Sequence, residues 1–292
     1  MTNDEIEGTE GPFLSIIVPV LNEAALIENF LGHVRSITPD AEIIVVDGGS
    51  TDGTELIADR MADVVIVAKR GRASQMNAGA ALARGEVLWF IHADLRLPKN
   101  ASLEMGRVLA DSRVAGGCFR LRFPPRPLVY RVSDSLGNLG VETFGFALGD
   151  HGIFCRRAAF ERVVGYRDVP LLEDAELYRA LHQRGRMVQL GSEIRCSPRA
   201  YEIHGPHRTT AIHFLILALY VLGLPISALH RIYQRFRRMD SFRVLDASNA
   251  RRQHSRPHRS KNCSNETGSP IPERDGSGEC GLSQRAPYPA AP

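Results

Sequence analysis

At 292 residues, with 43% hydrophobic and 7% aromatic content, the chain can bury a sizeable core and holds one large or two small domains. A net charge of +3 is too mild to point to nucleic acid as a partner. The five cysteines (Cys118, Cys155, Cys196, Cys263 and Cys280) form no CxxC pair and no metal-ligand spacing, so they read as buried or incidental thiols in a reducing compartment.

Residues 1–12, MTNDEIEGTEGP, are acidic and lack the apolar segment of a secretory signal, which predicts a flexible arm and a cytoplasmic location. Three apolar runs follow, each ending in a polar loop: LSIIVPV (Leu14 to Val20), EIIVVDGGSTDGT (Glu42 to Thr54) and EVLWFIHAD (Glu86 to Asp94). Continuous β-branched runs separated by helical segments are the pattern of strands buried on both faces of a parallel sheet. A helix is predicted directly after Asn22 and Glu23, with Ala25, Leu26, Phe30 and Leu31 on its apolar face, until Thr38, Pro39 and Asp40 break it. Ser50, Thr51 or Asp52 can cap a second helix, about Glu55 to Met61, before a short strand from Val64 to Ala68. The basic loop KRGRASQMNAG then leads into an alanine-rich helix that ends near Gly85. This alternation predicts a doubly wound α/β domain. Asp47, Asp52 and Asp94 fall at the carboxyl ends of its strands, the edge where such sheets bind ligands.

Past Asp94 the sequence predicts a turn and helix, a strand GGCFRLRF, a Pro-rich break from Pro124 to Pro127, and a helix within Tyr130 to Phe146. A short strand (Gly152 to Arg156) and a helix come next, and LLEDAELYRALHQRG forms an amphipathic helix. Its first turn carries Glu173, Asp174 and Glu176, which also suits the helix macrodipole. From Ala211 to Leu229 the chain is apolar with no Asp, Glu, Lys or Arg, flanked by Arg208 and by Arg231, Arg235, Arg237 and Arg238 and interrupted by Gly223 and Pro225. An in-plane or broken re-entrant helix at the inner membrane surface is preferred here. A span is the weaker reading, because the positive-inside rule would place the nucleotide-binding half outside; a core or dimer helix is the third. Residues 239–292 are rich in Arg, Ser, Pro, Gly and Asn and read as a disordered tail.

The motifs SIIVPVLNE, VVDGGSTDGT, GRASQMNAGAALARGEVLWFIHAD and LLEDAEL, in this order and spacing, resemble the inverting glycosyltransferases of family 2. Their fold is GT-A, a Rossmann-like mixed sheet flanked by helices. The full set is similar to the arsenosugar-biosynthesis-type branch, which is also linked to diaponeurosporenoate-type carotenoid glucosylation. The likeness covers about residues 13–236. It implies a GT-A domain over 13–208, with a donor half of about 13–115 and an acceptor half of about 116–208. The remainder would be a membrane-associated segment at 209–238.

The same resemblance implies roles for single residues. The PVLNE loop, with Pro19, Val20, Asn22 and Glu23, would line the base and ribose, and Asp47 would hold the base beside Gly49, Ser50 and Asp52. Arg72, Asn77 and Gly79 would close over the nucleotide. The family's Asp-x-Asp metal motif reads His92-Ala93-Asp94 here. Asp94 can still bind Mn2+ or Mg2+ through oxygen, and His92 is a softer second ligand or a diphosphate contact. The family's general base sits in an ED pair, which matches Glu173-Asp174; Asp174 is the first candidate. Asp150, His151 and Gly152 would contact acceptor or sugar, and His204 and Arg208 would cover the leaving diphosphate. No QxxRW follows, which favours transfer of a single sugar.

The expected enzyme takes a nucleotide-sugar donor, most simply a UDP-sugar, and a lipophilic or small acceptor at the cytoplasmic face of the membrane. Two alternatives stand beside it: a sugar-phosphate nucleotidyltransferase, disfavoured because its glycine-rich first loop is absent, and a non-catalytic nucleotide-binding scaffold. A dinucleotide dehydrogenase is disfavoured because no GxGxxG follows the first strand.

Overall fold

The computed structural model describes residues 13–125 and 127–236; the arm expected at 1–12 and the tail expected at 239–292 lie outside the described residues. Strand β1 (Leu14–Val20) leads into helix α1 (Ala24–Ile37), and β2 (Glu42–Asp47) into the short α2 (Thr54–Ala58). Then come β3 (Val64–Val67), α3 (Arg72–Leu82), β4 (Val87–Phe90) and α4 (Ala101–Leu109). The second half holds β5 (Val114–Arg122), α5 (Val129–Phe144), a single 3-10 turn at Gly149–His151, β6 (Phe154–Arg156) and α6 (Arg157–Arg162). It continues with α7 (Glu173–His182), β7 (Arg186–Arg195), α8 (Arg199–His204) and α9 (Pro206–Val221), and a last helical stretch covers 226–236.

The strands form one seven-stranded sheet in the order β3-β2-β1-β4-β6-β5-β7. Strand β6 runs against both β4 and β5, while the other pairings are parallel. Side chains on successive strand residues point to opposite faces, and here both faces are covered. Ile16, Val18, Ile43, Val45, Val87 and Trp89 enter one apolar layer. Their neighbours Ile17, Ile44, Val46, Leu88 and Phe90 enter the other. This is why the strands read as unbroken apolar runs. At the opposite end of the strands, buried Glu42 accepts hydrogen bonds from Ser15 Oγ (2.6 Å) and from Arg84 N (2.8 Å) and Nε (2.7 Å), so its charge is compensated.

The second and third runs end in polar loops, as the sequence suggests. Strand β2 leaves the sheet after Asp47 and β4 after Phe90, and His92, Ala93 and Asp94 then line the cleft. Strand β7 carries no period-2 signal, and its burial alternates irregularly. Its pairing with β5 is interrupted by register shifts between Val114 and Gly116 and between Cys118 and Arg120, which scrambles the alternation that would reveal a strand.

The apolar run over Ala211 to Leu229 is not one helix. Helix α9 stops at Val221, Gly223 takes φ +85°, and the chain folds back on itself. The ring of Tyr233 stacks on His213 at 6.4 Å, and the Arg208 guanidinium lies 4.7 Å over Phe236. No helix among the described residues is long and apolar enough to cross a membrane.

Candidate active site

A cleft of about 630 Å3 opens along the carboxyl ends of β1 and β4 and runs to the α9 hairpin. Of the residues singled out from sequence, Pro19, Val20, Glu23, Arg72, His92, Asp94, Asp150, His151, Glu173 and Asp174 line it. They come from five separate stretches of chain, brought together by the strand order.

The others among the described residues lie outside that lining, and most bond to neighbouring segments. Asn22, at φ +55°, donates its backbone N–H to Ser50 Oγ (2.8 Å) and accepts from Thr51 N (2.9 Å). Asp52 accepts from Ala24 N (3.1 Å), Thr54 N (3.1 Å) and Thr54 Oγ1 (2.5 Å), and those bonds hold its carboxyl below the ordinary range. These residues staple the two loops after β1 and β2 together. Asp47 is 1% exposed, and its Oδ1 accepts from Gly49 N and Ser50 N, both at 2.6 Å, so it shapes the turn beneath the cleft. Gly49, at φ +89°, permits that turn.

Asn77 clamps Tyr166 through both backbone groups (2.8 and 2.9 Å). Gly79 lets α3 press onto the sheet: a Cβ there would lie 2.6 Å from Ile17 and 2.9 Å from Val46. Gly152 takes φ +59° and accepts from Trp89 Nε1 (3.1 Å). Arg208 lies over Phe236, outside the cleft lining. The His204 side chain lies outside the described residues.

Helix α7 begins at Leu172, a non-glycine residue at φ +63°. Such a conformation costs about 1–2 kcal/mol, offset here by burial of Leu172 among Phe146, Ala175 and Ile212. The turn directs Glu173 and Asp174, 8% and 5% exposed, into the cleft. Burial drives the Asp174 carboxyl up to about 7; the charge of Glu173 pushes the same way and Arg72 opposes. Tyr166's hydroxyl lies beside it without a hydrogen bond of good geometry. Arg72 Nη1 stands 3.8 Å from Glu173 Oε1. Burial likewise raises Asp94 and Asp150, with Arg199 opposing at Asp94 and Arg72 at Asp150.

Gly149 is the hinge of this cluster. A Cβ at Gly149 would sit 2.3 Å from His92 Nε2 and 2.6 Å from Asp174 Oδ2, so both side chains rest on its bare backbone. Burial lowers His92 to about 3 and His151 to about 4, leaving both imidazoles neutral. His151 Nδ1 is engaged with Phe119 O (3.1 Å). His92 Nε2 is buried with no hydrogen-bond partner.

A neutral imidazole and a carboxylate are an acceptable donor pair for Mn2+. Among the described residues, however, no group of three or more His, Cys, Asp or Glu is arranged to hold an ion, so a ligand would have to complete the shell. The charge balance also asks for a cation. Five carboxylates (Glu23, Asp94, Asp150, Glu173, Asp174) face three guanidinium groups (Arg70, Arg72, Arg199) across the cleft, and a polyanion entering it needs added positive charge.

Sequence reasoning missed several cleft residues. Gln75 donates from Nε2 to Val20 O (2.9 Å) and Val46 O (2.7 Å), joining the ends of β1 and β2. Arg199 pairs with Glu23 through both nitrogens (3.1 and 2.9 Å). An apolar wall includes Leu136, Leu148, Phe214, Leu217 and Tyr233. Gln75 sits inside the GRASQMNAG motif beside Arg72 and Asn77 without having been singled out, whereas Arg199 and the wall lie in no motif, and the wall is assembled from segments distant in sequence.

A family profile, Glycosyl transferase family 2, matches residues 15–161, half of the chain. The chain belongs to that family. The cleft is the active-site candidate of this family domain. Among curated relatives the chain is 45% identical over 64 residues to the succinoglycan biosynthesis protein ExoA of Rhizobium meliloti, covering 21% of this chain and 18% of that one. It is 36% identical over 105 residues to the glycosyltransferase AglE of Haloferax volcanii, covering 32% and 34%. The match thus spans 18% and 34% of those relatives' lengths. Among solved structures it is similar in fold to the mannosyltransferase PcManGT from Pyrobaculum calidifontis in complex with GDP-Man and Mn2+. That similarity has a TM-score of 0.54 and 23% identity, covering 73% of this chain and 65% of that one.

Proposed function

We propose that this family 2 glycosyltransferase transfers one sugar from a nucleotide-sugar donor, a UDP-sugar in the simplest case, to a lipophilic or small acceptor with inversion. The observation that carries the reading is the position of Asp174. It is a buried carboxylate raised to about 7, in a cleft that holds Asp94 and His92 at one end and an apolar wall at the other. A base near neutrality is well matched to taking a proton from an acceptor hydroxyl as that oxygen attacks the anomeric carbon. Ionised Asp174 also stabilises the positive charge that develops on the sugar. Arg72 keeps the carboxylate side of that equilibrium accessible.

Asp94 and His92 would hold Mn2+ or Mg2+, whose contribution when bound is to neutralise the leaving diphosphate. Gln75 fixes the floor beneath the nucleotide, and Glu173 stands as the less direct candidate base. The motif set, VVDGGSTDGT with FIHAD, supports the arsenosugar-type branch, with carotenoid glucosylation as a specific case.

The acceptor side supports a lipophilic substrate at a membrane surface. Phe214 both lines the cleft and is 53% exposed, so the apolar wall continues onto the outside of α9. Leu215, Val221 and Leu222 of this region, and Leu128, Val132, Leu139 and Phe144 along α5, are exposed as well. Residues 205–238 contain no Asp or Glu and five arginines. An apolar face joined to a stretch whose only formal charges are arginines fits an anionic bilayer surface, and we place the enzyme at the cytoplasmic face on that ground.

Purified protein incubated with UDP-, GDP- and dTDP-sugars and Mn2+ or Mg2+ should release nucleotide with at least one donor; silence across the panel removes the donor reading. For the membrane reading, Phe214→Ser with Leu222→Ser should weaken sedimentation with vesicles containing anionic lipid. Unchanged partitioning refutes it.

A further inference from the structure

The Glu23–Arg199 pair spans the cleft mouth. Glu23 sits on the loop after β1, where its backbone N–H is held by Thr54 Oγ1 at 2.9 Å, so its position is fixed. Arg199 opens α8, 176 residues further along the chain, and reaches both Glu23 oxygens with separate nitrogens. The two side chains are 48% and 20% exposed, and an ion pair this wet contributes little to stability. Both line the cleft, and the Arg199 charge is felt at Asp94. A guanidinium fork presented to a carboxylate is equally matched to the oxygens of a diphosphate, which carries more charge.

We propose that Arg199 is a donor-binding residue held in reserve. It exchanges Glu23 for the diphosphate of an incoming nucleotide, and Glu23 is its resting partner. This rests on the donor reading above and names a residue of that site. The exchange also supplies positive charge near Asp94, whose carboxyl feels both Arg199 and Glu23.

The test separates an exchanging arginine from a mere brace, because deleting either partner destroys the pair but leaves opposite charges behind. Binding of UDP and GDP with Mn2+ is measured by calorimetry on the full chain. Arg199→Ala should weaken binding about tenfold, or 1.4 kcal/mol. Glu23→Gln should tighten it about threefold, since Arg199 no longer has to leave a partner, and the gain should vanish in the Arg199→Ala background. Equal weakening by both variants would identify a brace and overturn the proposal. No change with either variant would also overturn it, as would a Glu23→Gln gain that survives in the double variant. If Arg199→Ala does not fold, Arg199→Lys carries the test: weaker binding upholds the fork, and unchanged binding overturns it. Failure of the wild-type chain to bind either nucleotide overturns the donor reading itself, before the variants are compared.

Discussion

Around the ends of β1 and β2, polar side chains are spent on the backbone. Asn22, Ser50, Asp52 and Thr54 bond one loop to the other, and Asp47 closes the turn through Gly49 and Ser50. Across the cleft, around the 3-10 turn, the polar groups are buried with little to hold them. His92 Nε2 has no partner, and Asp174 stands beside Glu173 with its carboxyl raised to about 7. Loops whose polar groups are satisfied are rigid scaffold. Buried groups left in a costly state are candidates for use by a ligand or reaction, and on the first side Asp47 Oδ2, buried without a partner, is such a group. Apart from that oxygen the DGGSTDG motif is bonded into the frame, and the meeting of His92, Gly149 and Asp174 is where the proposed chemistry would fall.

The largest expected effect falls on the second region. Asp174→Asn should reduce transfer by about 10²–10⁴-fold while nucleotide binding persists; turnover near the wild-type level would place the base elsewhere. The same substitution has a stability signature of opposite sign. A carboxylate whose folded pKa is raised loses stability as pH climbs from the ordinary Asp value towards 7, because the ionised form is the disfavoured one. Asp174→Asn should therefore melt higher than wild type at pH 8, and the gap should close near pH 4. For the wild-type enzyme, kcat/KM should fall about tenfold per unit as pH drops below 7, and a flat profile from pH 5 to 8 would contradict a base with this environment.

Gly149→Ala comes next. Its Cβ would collide with both His92 and Asp174, so a shift of about 1 Å at the base should lower kcat about 10²-fold, with a smaller effect on the melting temperature. Gly79→Ala is the matched control in the other region. The new methyl would press on Ile17 and Val46 in the core, destabilising by about 1–3 kcal/mol, while kcat of the folded fraction stays near wild type. If the two variants behave alike, the division between frame and chemistry is wrong. The smallest effect is expected from Asp52→Ala, which removes loop-to-loop hydrogen bonds. About 1 kcal/mol of stability should be lost in denaturant unfolding, and the donor KM should move only slightly.

Much of the frame was legible beforehand. The runs at Leu14, Glu42 and Glu86 announced buried parallel strands because burial on both faces removes the polar alternation, and the ED pair opening an amphipathic helix marked Asp174. Strand β7 was not legible, because its bulged pairing with β5 destroys the period that signals a strand. Asn77 and Gly79 sit in the motif assigned to the nucleotide, yet they face Tyr166 and the sheet. A motif records that residues are needed together, not which of them touches the ligand.

By itself, the sequence determined the strand–helix alternation, the family, and the presence of Asp94, Arg72 and Asp174, since local patterning and residue chemistry suffice for these. Only the tertiary structure decided that Asp47 lies under the cleft, that His92 and Asp174 share the bare face of Gly149, and that Arg199 meets Glu23 across 176 residues. It also decided that the apolar run after Thr210 is a hairpin whose side chains wall the cleft. Each depends on where the sheet order brings distant segments, and spacing along a chain does not encode distance between its folds.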